Sequence, residues 1–286
     1  MRSLIIASAA LGLAVTAGAQ GRPDFEFRRE LPEGRRLYVQ NINGDVRVTG
    51  GSGRTVEVTA VKRAGRHGDP ADVTVEAVEL DNGVAICVRY PGQRRRSGNG
   101  GRESKNPCSS DWESGNGRND TEVDFTVRVP AGLLLHAGTV SGDLAAESLE
   151  GDLDLQSVSG NATLRGGRGT RVNVETVSGD VELLDVRASE VSGNTVSGGV
   201  TFRGPLLDRG SYEFTTTSGD ISLGLTERPN ATLSAATFSG SFTSDIPVTM
   251  PAGRRRHRFD ATWGSGSARL DVETLSGDIR ITTATR

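Results

Sequence analysis

A motif of the form Val-Ser-Gly-Asp-Val returns along the chain about every 20 residues, and it constrains the fold more than any other feature. Its glycines stand at positions 142, 160, 179, 198, 219, 240 and 277, and an outlying copy contains Gly44. Self-similarity at such a period is the signature of stacked repeat architectures. The repeat-turn residues predicted from the clearest copies are Gly44, Asp45, Gly142, Asp143, Gly179, Asp180, Gly219, Asp220, Gly277 and Asp278.

The motif is typical of a turn between two strands. Glycine reaches positive φ without a steric penalty, and Asp or Asn hydrogen-bonds to nearby backbone. Apolar residues alternate beside the turns, as at Val181 and Leu183, which is the pattern of a half-buried strand. Two folds fit two strands and two turns per period: a parallel β-solenoid with one coil per period, and an antiparallel meander of hairpins. We predict the all-β solenoid, because stacking of coils explains why every second turn keeps Ser-Gly-Asp.

The first half of the chain is less regular than the second. Terminal repeats of a solenoid are atypical because they must cover an open sheet edge, so this half is expected to act as a cap. The predicted organisation is a signal peptide over residues 1–19, an N-terminal β region over 20–130 and solenoid repeats over 131–286. The N-terminal region contains a Gly- and Arg-rich loop at 91–120, and the repeats amount to about seven coils.

The first twenty residues predict export. Arg2 gives a positive start, an uncharged apolar stretch runs over residues 4–15, and Ala17-Gly18-Ala19 suits a signal peptidase, with cleavage before Gln20. The stretch is shorter than the roughly 20 apolar residues that span a bilayer. We therefore expect a periplasmic or extracellular protein whose mature chain has no transmembrane segment.

The only cysteines in the sequence are Cys87 and Cys108, and the predicted export bears on whether they are bonded to each other. An even count in an oxidising compartment predicts a disulfide, here at the root of the Gly- and Arg-rich loop. Two free thiols or a metal pair are the alternatives. Two cysteines without nearby histidines do not complete a four-ligand zinc site, so the disulfide is favoured.

Composition excludes some classes of protein. The chain has 38 glycines in 286 residues but no three-residue period, which excludes collagen. A formal net charge of −3 argues against a dedicated nucleic-acid binder. Basic clusters at 94–96 and 254–258 are either contacts for anionic polymers or solvated loops, and the second interpretation is favoured. The basic loop 94–118 is the best candidate for a contact surface if the chain uses one there.

The sequence offers no catalytic, cofactor-binding or metal-binding residues that we would assign. The repeated aspartates could form a calcium ladder, but the nine-residue unit of calcium-binding β-rolls is absent, so they are expected to serve the turns. His67, His136 and His257 are far apart and lie in segments that resemble turns. No single coil combines extra acids, aromatics and basic residues, and no Gly-x-Ser-x-Gly elbow is present. The chain is therefore predicted not to be an enzyme.

Several spaced elements resemble the bacterial "putative adhesin" family. They are the repeated Val-Ser-Gly-Asp-Val units, the Asn43-Gly44-Asp45-Val46 element, and the Val-x-Val-Pro-Ala-Gly step that ends at Gly132. The resemblance covers residues 37–281. It implies a secreted, β-solenoid-like domain and supplies no catalytic residues.

These observations predict a non-catalytic scaffold or adhesin-like binding protein of the cell envelope. Its expected partners are a surface polysaccharide or an envelope protein, met through flat, polar strand faces, with no cofactor and no nucleic acid. A carbohydrate-active β-helix enzyme, a lyase or hydrolase, is the alternative. Self-association through an open solenoid end is a third expectation.

Overall fold

The computed structural model describes residues 23–91, 108, 119–247 and 258–283. The predicted signal peptide, most of the loop at 91–120 and the arginines at 254–256 lie outside these residues. The described chain is almost entirely β-structure, with one short 3-10 turn at Pro70–Asp72. None of its helical turns is long and apolar enough to cross a bilayer.

Twenty-two strands follow one another along the chain. The first nine are β1 (Phe25–Glu30), β2 (Arg36–Gln40), β3 (Val46–Gly51), β4 (Thr55–Arg63), β5 (Thr74–Leu80), β6 (Gly83–Arg89), β7 (Glu122–Pro130), β8 (Leu133–Ser141) and β9 (Leu144–Glu147). The next seven are β10 (Gly151–Ser159), β11 (Ala162–Arg165), β12 (Arg168–Glu175), β13 (Val181–Leu184), β14 (Arg187–Ser197), β15 (Val200–Gly204) and β16 (Ser211–Ser218). The last six are β17 (Ile221–Leu225), β18 (Ala231–Ser239), β19 (Phe242–Ser244), β20 (Arg258–Thr262), β21 (Ala268–Ser276) and β22 (Ile279–Thr283).

The strands form two sheets of eleven strands each. Sheet A has the order β1-β4-β7-β3-β9-β11-β13-β15-β17-β22-β19, and sheet B has the order β20-β18-β21-β16-β14-β12-β10-β8-β2-β6-β5. From β8 to β17 each coil contributes one strand to each sheet, and neighbouring coils pair in parallel. The predicted parallel β-solenoid is confirmed, and the antiparallel meander is wrong.

The coils at both ends are stacked out of sequence order. The coil formed by β2 and β3 has two neighbours in the stack. The β8–β9 coil lies on one side of it, and the β6–β7 coil lies on the other. At the other end, the coil of β21 and β22 lies between β16–β17 and β18–β19. The N-terminal coil and the C-terminal coil are therefore hydrogen-bonded on both sides, which protects them from fraying.

Antiparallel strands cover most of the outer edges. Strand β4 pairs with β7 and β1 with β4 at one end of sheet A, while β5 and β20 flank sheet B. The remaining edge strand, β19, has only three residues, and short edge strands resist pairing with other chains. Both sheets continue across residue 130, so neither is interrupted at the predicted domain boundary.

The core fills the space between the sheets. Alternate residues of each strand point inward, so the core is a column of Leu, Val, Ile and Phe that runs the length of the stack, as at Leu155, Leu164 and Leu183. The Phe202 ring packs against both Tyr212 and Phe214 in this column. Strand β6 is buried along both faces, as its unbroken apolar run predicts.

The repeated corner is held by two ladders of hydrogen bonds. In the first, the buried hydroxyl before the motif donates to the glycine carbonyl of the preceding coil, as Thr176 does to Gly160 at 2.9 Å. The same bond is made by Thr139, Ser157, Thr195, Thr216, Thr237 and Thr274. Gly179 has φ +147°, and a Cβ there would lie 2.2 Å from the carbonyl oxygen of Gly160. Stacking therefore requires glycine at this position on two independent grounds.

In the second ladder, each Asp or Asn side chain accepts a backbone N–H of the next coil. Asn161 Oδ1 accepts from Asp180 at 2.9 Å, and Asp180 Oδ1 accepts from Gly199 at 2.7 Å. At the far end, the backbone N–H and then the hydroxyl of Ser241 lower the pKa of Asp278. These side chains therefore bond to the polypeptide, and Gly199 interrupts the ladder.

The Cys87–Cys108 disulfide is present and has a Cα–Cα distance of 5.4 Å. Cys87 is buried in β6, and it lies in register with Gln40 of the adjacent β2. The bridge therefore fixes residue 108 against β6 of sheet B.

Candidate functional site

The outward face of sheet B carries polar side chains in register from coil to coil. One column contains Tyr38, His136, Asp154, Asn173, Ser192 and Glu213. The column beside it contains Arg36, Leu134, Asp152, Arg171, Glu190 and Ser211. Between them lies an open depression of about 620 Å³, which we call the sheet B groove.

His136 lies in the groove between Tyr38 and Asp154. Its Nδ1 lies 2.8 Å from Asp154 Oδ2, and its ring centroid lies 5.2 Å from that of Tyr38. The side chain of His136 is 20% exposed. Arg36 extends the cluster by donating from Nη1 to the Tyr38 hydroxyl at 3.3 Å. Strands β2, β8 and β10 are adjacent in the stack, and this adjacency brings the four side chains together.

Asp154 is a fixed acceptor. Besides His136, its carboxylate accepts from Gln156 Nε2 at 3.0 Å and from Asn173 Nδ2 at 3.1 Å. Burial raises the pKa of Asp154, but the hydrogen bond and charge of His136, with the two amide donors, outweigh burial and lower the pKa overall. Asp154 therefore stays ionised at neutral pH and keeps the His136 ring oriented.

The other side of the groove is a second polar network. Arg171 Nε donates to Glu190 Oε2 at 2.8 Å, and the Arg171 backbone N–H donates to Asp152 Oδ1 at 3.1 Å. Asn173 reaches Glu175 Oε1 at 3.1 Å. Both signs of charge and several amides thus line one depression, which suits a ligand with many hydroxyl or amide groups.

The arrangement limits the chemistry that the groove could perform. A glycosidase needs one carboxylic acid whose raised pKa keeps it protonated. Asp154 has a lowered pKa and does not suit that role. His136 could act as a base through Nε2, because its Nδ1 is engaged by a carboxylate.

Sequence reasoning missed this site. The interpretation of His136 as part of a turn is wrong, because it lies in β8. No single coil contains an unusual set of polar residues. Tyr38, His136 and Asp154 come from three coils, and Asp154 is 18 positions after His136 and 116 positions after Tyr38 in the sequence. The usable signal was the register: Asp154 is 18 residues after His136, which is one period of the repeat.

The predicted site residues lie elsewhere. The repeat-turn glycines and aspartates lie along the Ser-Gly corner, where Ser141, Ser159, Ser178, Ser197 and Ser218 are in register. None of these glycines and aspartates lines the sheet B groove. In the described ranges, no three His, Cys, Asp or Glu side chains are placed to hold a metal ion together.

Comparison with known proteins identifies the family to which the repeats belong. A family model described as Toastrack DUF4097 matches residues 30–282, which is most of the chain. The chain belongs to the Toastrack family. The family resemblance drawn from the Val-Ser-Gly-Asp-Val units is thereby confirmed, and the Toastrack match spans both the N-terminal region and the repeats. No curated protein matches the chain.

Three bacterial proteins are among the solved structures that are similar to this Toastrack chain. A "putative cell adhesion protein" from Clostridium sporogenes is 11% identical, covers 91% of this chain and 99% of its own, and has a TM-score of 0.37. A "putative adhesin" from Bacteroides fragilis is 13% identical, with coverages of 90% and 96% and a TM-score of 0.42. Another from Parabacteroides merdae is 9% identical, with coverages of 90% and 95% and a TM-score of 0.36. Likenesses this weak carry no functional argument.

Proposed function

We propose that this Toastrack protein is a non-catalytic, exported binding protein of the cell envelope that holds a linear polysaccharide in the sheet B groove. The observation that supports this is the repetition of outward polar groups at the strand spacing of about 4.8 Å. A linear polymer lying along the stack would meet a new set of hydroxyl-binding groups at every coil. The Tyr38 ring beside His136 offers a partly apolar surface for a sugar face.

Binding to a panel of purified envelope polysaccharides tests this proposal. Tyr38→Ala and Asn173→Ala should each weaken saturable binding, because one removes the ring and the other an amide at the centre of the groove. Thr201→Ala is the matched control, since Thr201 lies on the exposed outer face of sheet A. Unchanged binding by both groove variants would refute the role of the groove.

Export is tested separately. The N-terminus of the protein recovered from the periplasm or medium should be Gln20, as the predicted cleavage site requires. Recovery of an uncleaved chain from the cytoplasm alone would contradict this part of the proposal.

One observation favours a second candidate, a polysaccharide lyase. The His136–Asp154 pair beside Tyr38 and Arg36 could abstract a proton next to a carboxylate that the arginine neutralises. The C–O bond of the glycosidic linkage on the next carbon then breaks, its oxygen leaves and takes a proton from water, and a C=C bond forms, so product is detected by its ultraviolet absorbance. Turnover that His136→Ala abolishes while binding survives would favour the lyase, and binding without turnover would favour the first proposal.

A further inference from the structure

A stripe of exposed apolar side chains runs along the Ser-Gly corner. It occupies the position just before the motif serine, and in stack order it contains the half-buried Val140, then Val158, Val177, Val196, the polar Thr217, Leu275 and Phe238. We call it the apolar stripe. The large hydrophobic residues that are exposed in the described part of the chain are five of its members and Val61. Exposed apolar residues gathered in one line mark an interaction surface, whereas scattered ones do not.

The fold does not require this stripe to be apolar. The other motif residues each have a role in stacking. The threonine hydroxyl donates to a glycine carbonyl, the glycine allows close approach of the neighbouring coil, and the aspartate accepts a backbone N–H. The stripe residue points outward, with 45% exposure at Val158, 46% at Val177 and 50% at Val196. Thr217 occupies the same column between Val196 and Leu275, so a polar residue fits there.

The stripe borders a groove and is flanked by carboxylates. A depression of about 440 Å³ lies between the valines and the amide or acid column of Gln156, Glu175 and Asn194. On the corner side, three residues beyond the stripe, are the exposed Asp143, Asp180, Asp220 and Asp278. Glu273 flanks Leu275 as Glu175 flanks Val177, while Asp271 is paired with Arg269 and adds little net charge.

The combination of an apolar stripe with flanking carboxylates favours some binding partners over others. A second copy would bring an identical stripe with its own acidic borders, and an anionic surface would meet the same carboxylates, so both are disfavoured by like-charge repulsion. A cationic amphipathic helix satisfies both features, because its apolar ridge would cover the valines while its basic residues reach the flanking acids. Six steps of about 4.8 Å give a stripe about 29 Å long, close to the length of a 20-residue helix of about 30 Å.

We propose that the apolar stripe is a docking site for a cationic amphipathic helix of a partner polypeptide. This surface is separate from the sheet B groove, and the proposal does not depend on polysaccharide binding. The helical pitch of about 5.4 Å is near the coil spacing, so successive turns of the helix would meet successive coils. Affinity should also fall with added salt, since the Debye length shrinks from about 10 Å at 0.1 M to about 3 Å at 1 M.

The test uses a synthetic helix of about 18 leucines and lysines with one apolar stripe, about 27 Å long. The controls are a scrambled peptide of the same composition and a leucine–glutamate peptide of the same pattern. The protein variant is V158T/V177T/V196T, which copies the native Thr217 and keeps side-chain shape. The matched control is Val61→Thr on β4, a valine of similar exposure, 42%, that lies outside the stripe.

The triple variant should weaken binding of the leucine–lysine helix by about tenfold or more, because three apolar contacts are lost, while Val61→Thr changes it little. Equal binding to the triple variant, or equal binding of the scrambled or leucine–glutamate peptide, would overturn the proposal. A change of oligomeric state in the triple variant by sedimentation would also overturn it, in favour of self-association. His136→Ala should leave peptide binding unchanged, so failure of the groove proposal remains distinguishable.

Discussion

Replacement of Gly179 by alanine tests whether like corners touch from coil to coil. The glycine has φ +147°, a region that side-chain-bearing residues almost never occupy. An added Cβ would lie 2.2 Å from the carbonyl oxygen of Gly160 and 2.6 Å from its carbon. Both neighbours are backbone, so relief requires the two coils to move apart.

The expected cost follows from these two effects. The conformation costs roughly 1–3 kcal/mol in a region reserved for glycine. Separating the coils weakens the bonds next to the contact, such as Gly160 N–H to Ser178 O and Thr176 Oγ1 to Gly160 O, both 2.9 Å long. Each such bond contributes about 1 kcal/mol. Together we expect a loss of about 3–5 kcal/mol, against a total stability of about 5–15 kcal/mol for a typical domain.

The assay is urea unfolding of the disulfide-intact protein followed by far-ultraviolet circular dichroism. The matched control is Gly199→Ala, at the same corner one coil further on, where φ is unrestricted and the nearest atom to a new Cβ is 3.2 Å away. The control should lose no more than about 1 kcal/mol. Equal losses in the two variants, or a loss below about 1 kcal/mol for Gly179→Ala, would refute the stacking argument.

Three further perturbations have expected outcomes. Thr176→Val keeps the side-chain shape but removes the donor to Gly160 O, so urea unfolding should show a loss of about 1 kcal/mol, and no loss would contradict the hydroxyl ladder. The lowered pKa of Asp154 means that its stabilising effect is present above its ordinary pKa and disappears as pH falls through the lower folded value. Asp154→Asn should therefore flatten the acid decline of the melting temperature below about pH 4, and an unchanged decline would contradict this assignment. Reduction of Cys87–Cys108 should cost about 3 kcal/mol, because the bridge closes a 21-residue separation, and unaltered stability after verified reduction would show that the bridge is dispensable.

The fold was largely predictable, because the repeat requires the same local geometry at each turn. Glycine and aspartate at a spacing of about 20 residues indicated stacked corners, and the corners are stacked. The order of the end coils was not predicted from the motif, since stacking is equally good for any coil with the right corner. The sequence contains one indication of the irregular order at the C-terminal end. Gly240 and Gly277 are 37 residues apart, nearly twice the period, and this interval accommodates the extra strand β20.

The surfaces were less predictable than the fold. The sheet B groove combines side chains from β2, β8, β10, β12, β14 and β16, and their meeting depends on which coils are neighbours. The exposure of Val158, Val177 and Val196 along the Ser-Gly corner was not expected from the sequence, which indicated only polar strand faces. Valine stands at the stripe position in four of the seven motif copies, but alternation does not reveal that this position points outward where the strand leaves the sheet.

Both proposed surfaces depend on the order in which the coils are stacked, and engineered cysteine pairs measure that order directly. Ser218 and Ser276 are register partners on adjacent strands, as are Ser276 and Ser239, whereas Ser218 and Ser239 are two strands apart. A disulfide needs Cα atoms about 4.4–6.8 Å apart, which one strand spacing of about 4.8 Å permits and two do not. S218C/S276C should therefore oxidise to an intramolecular disulfide and S218C/S239C should not, as judged by mass spectrometry of proteolytic fragments. Efficient cross-linking of S218C/S239C with none in S218C/S276C would place the coils in simple sequence order and contradict the interleaved stack.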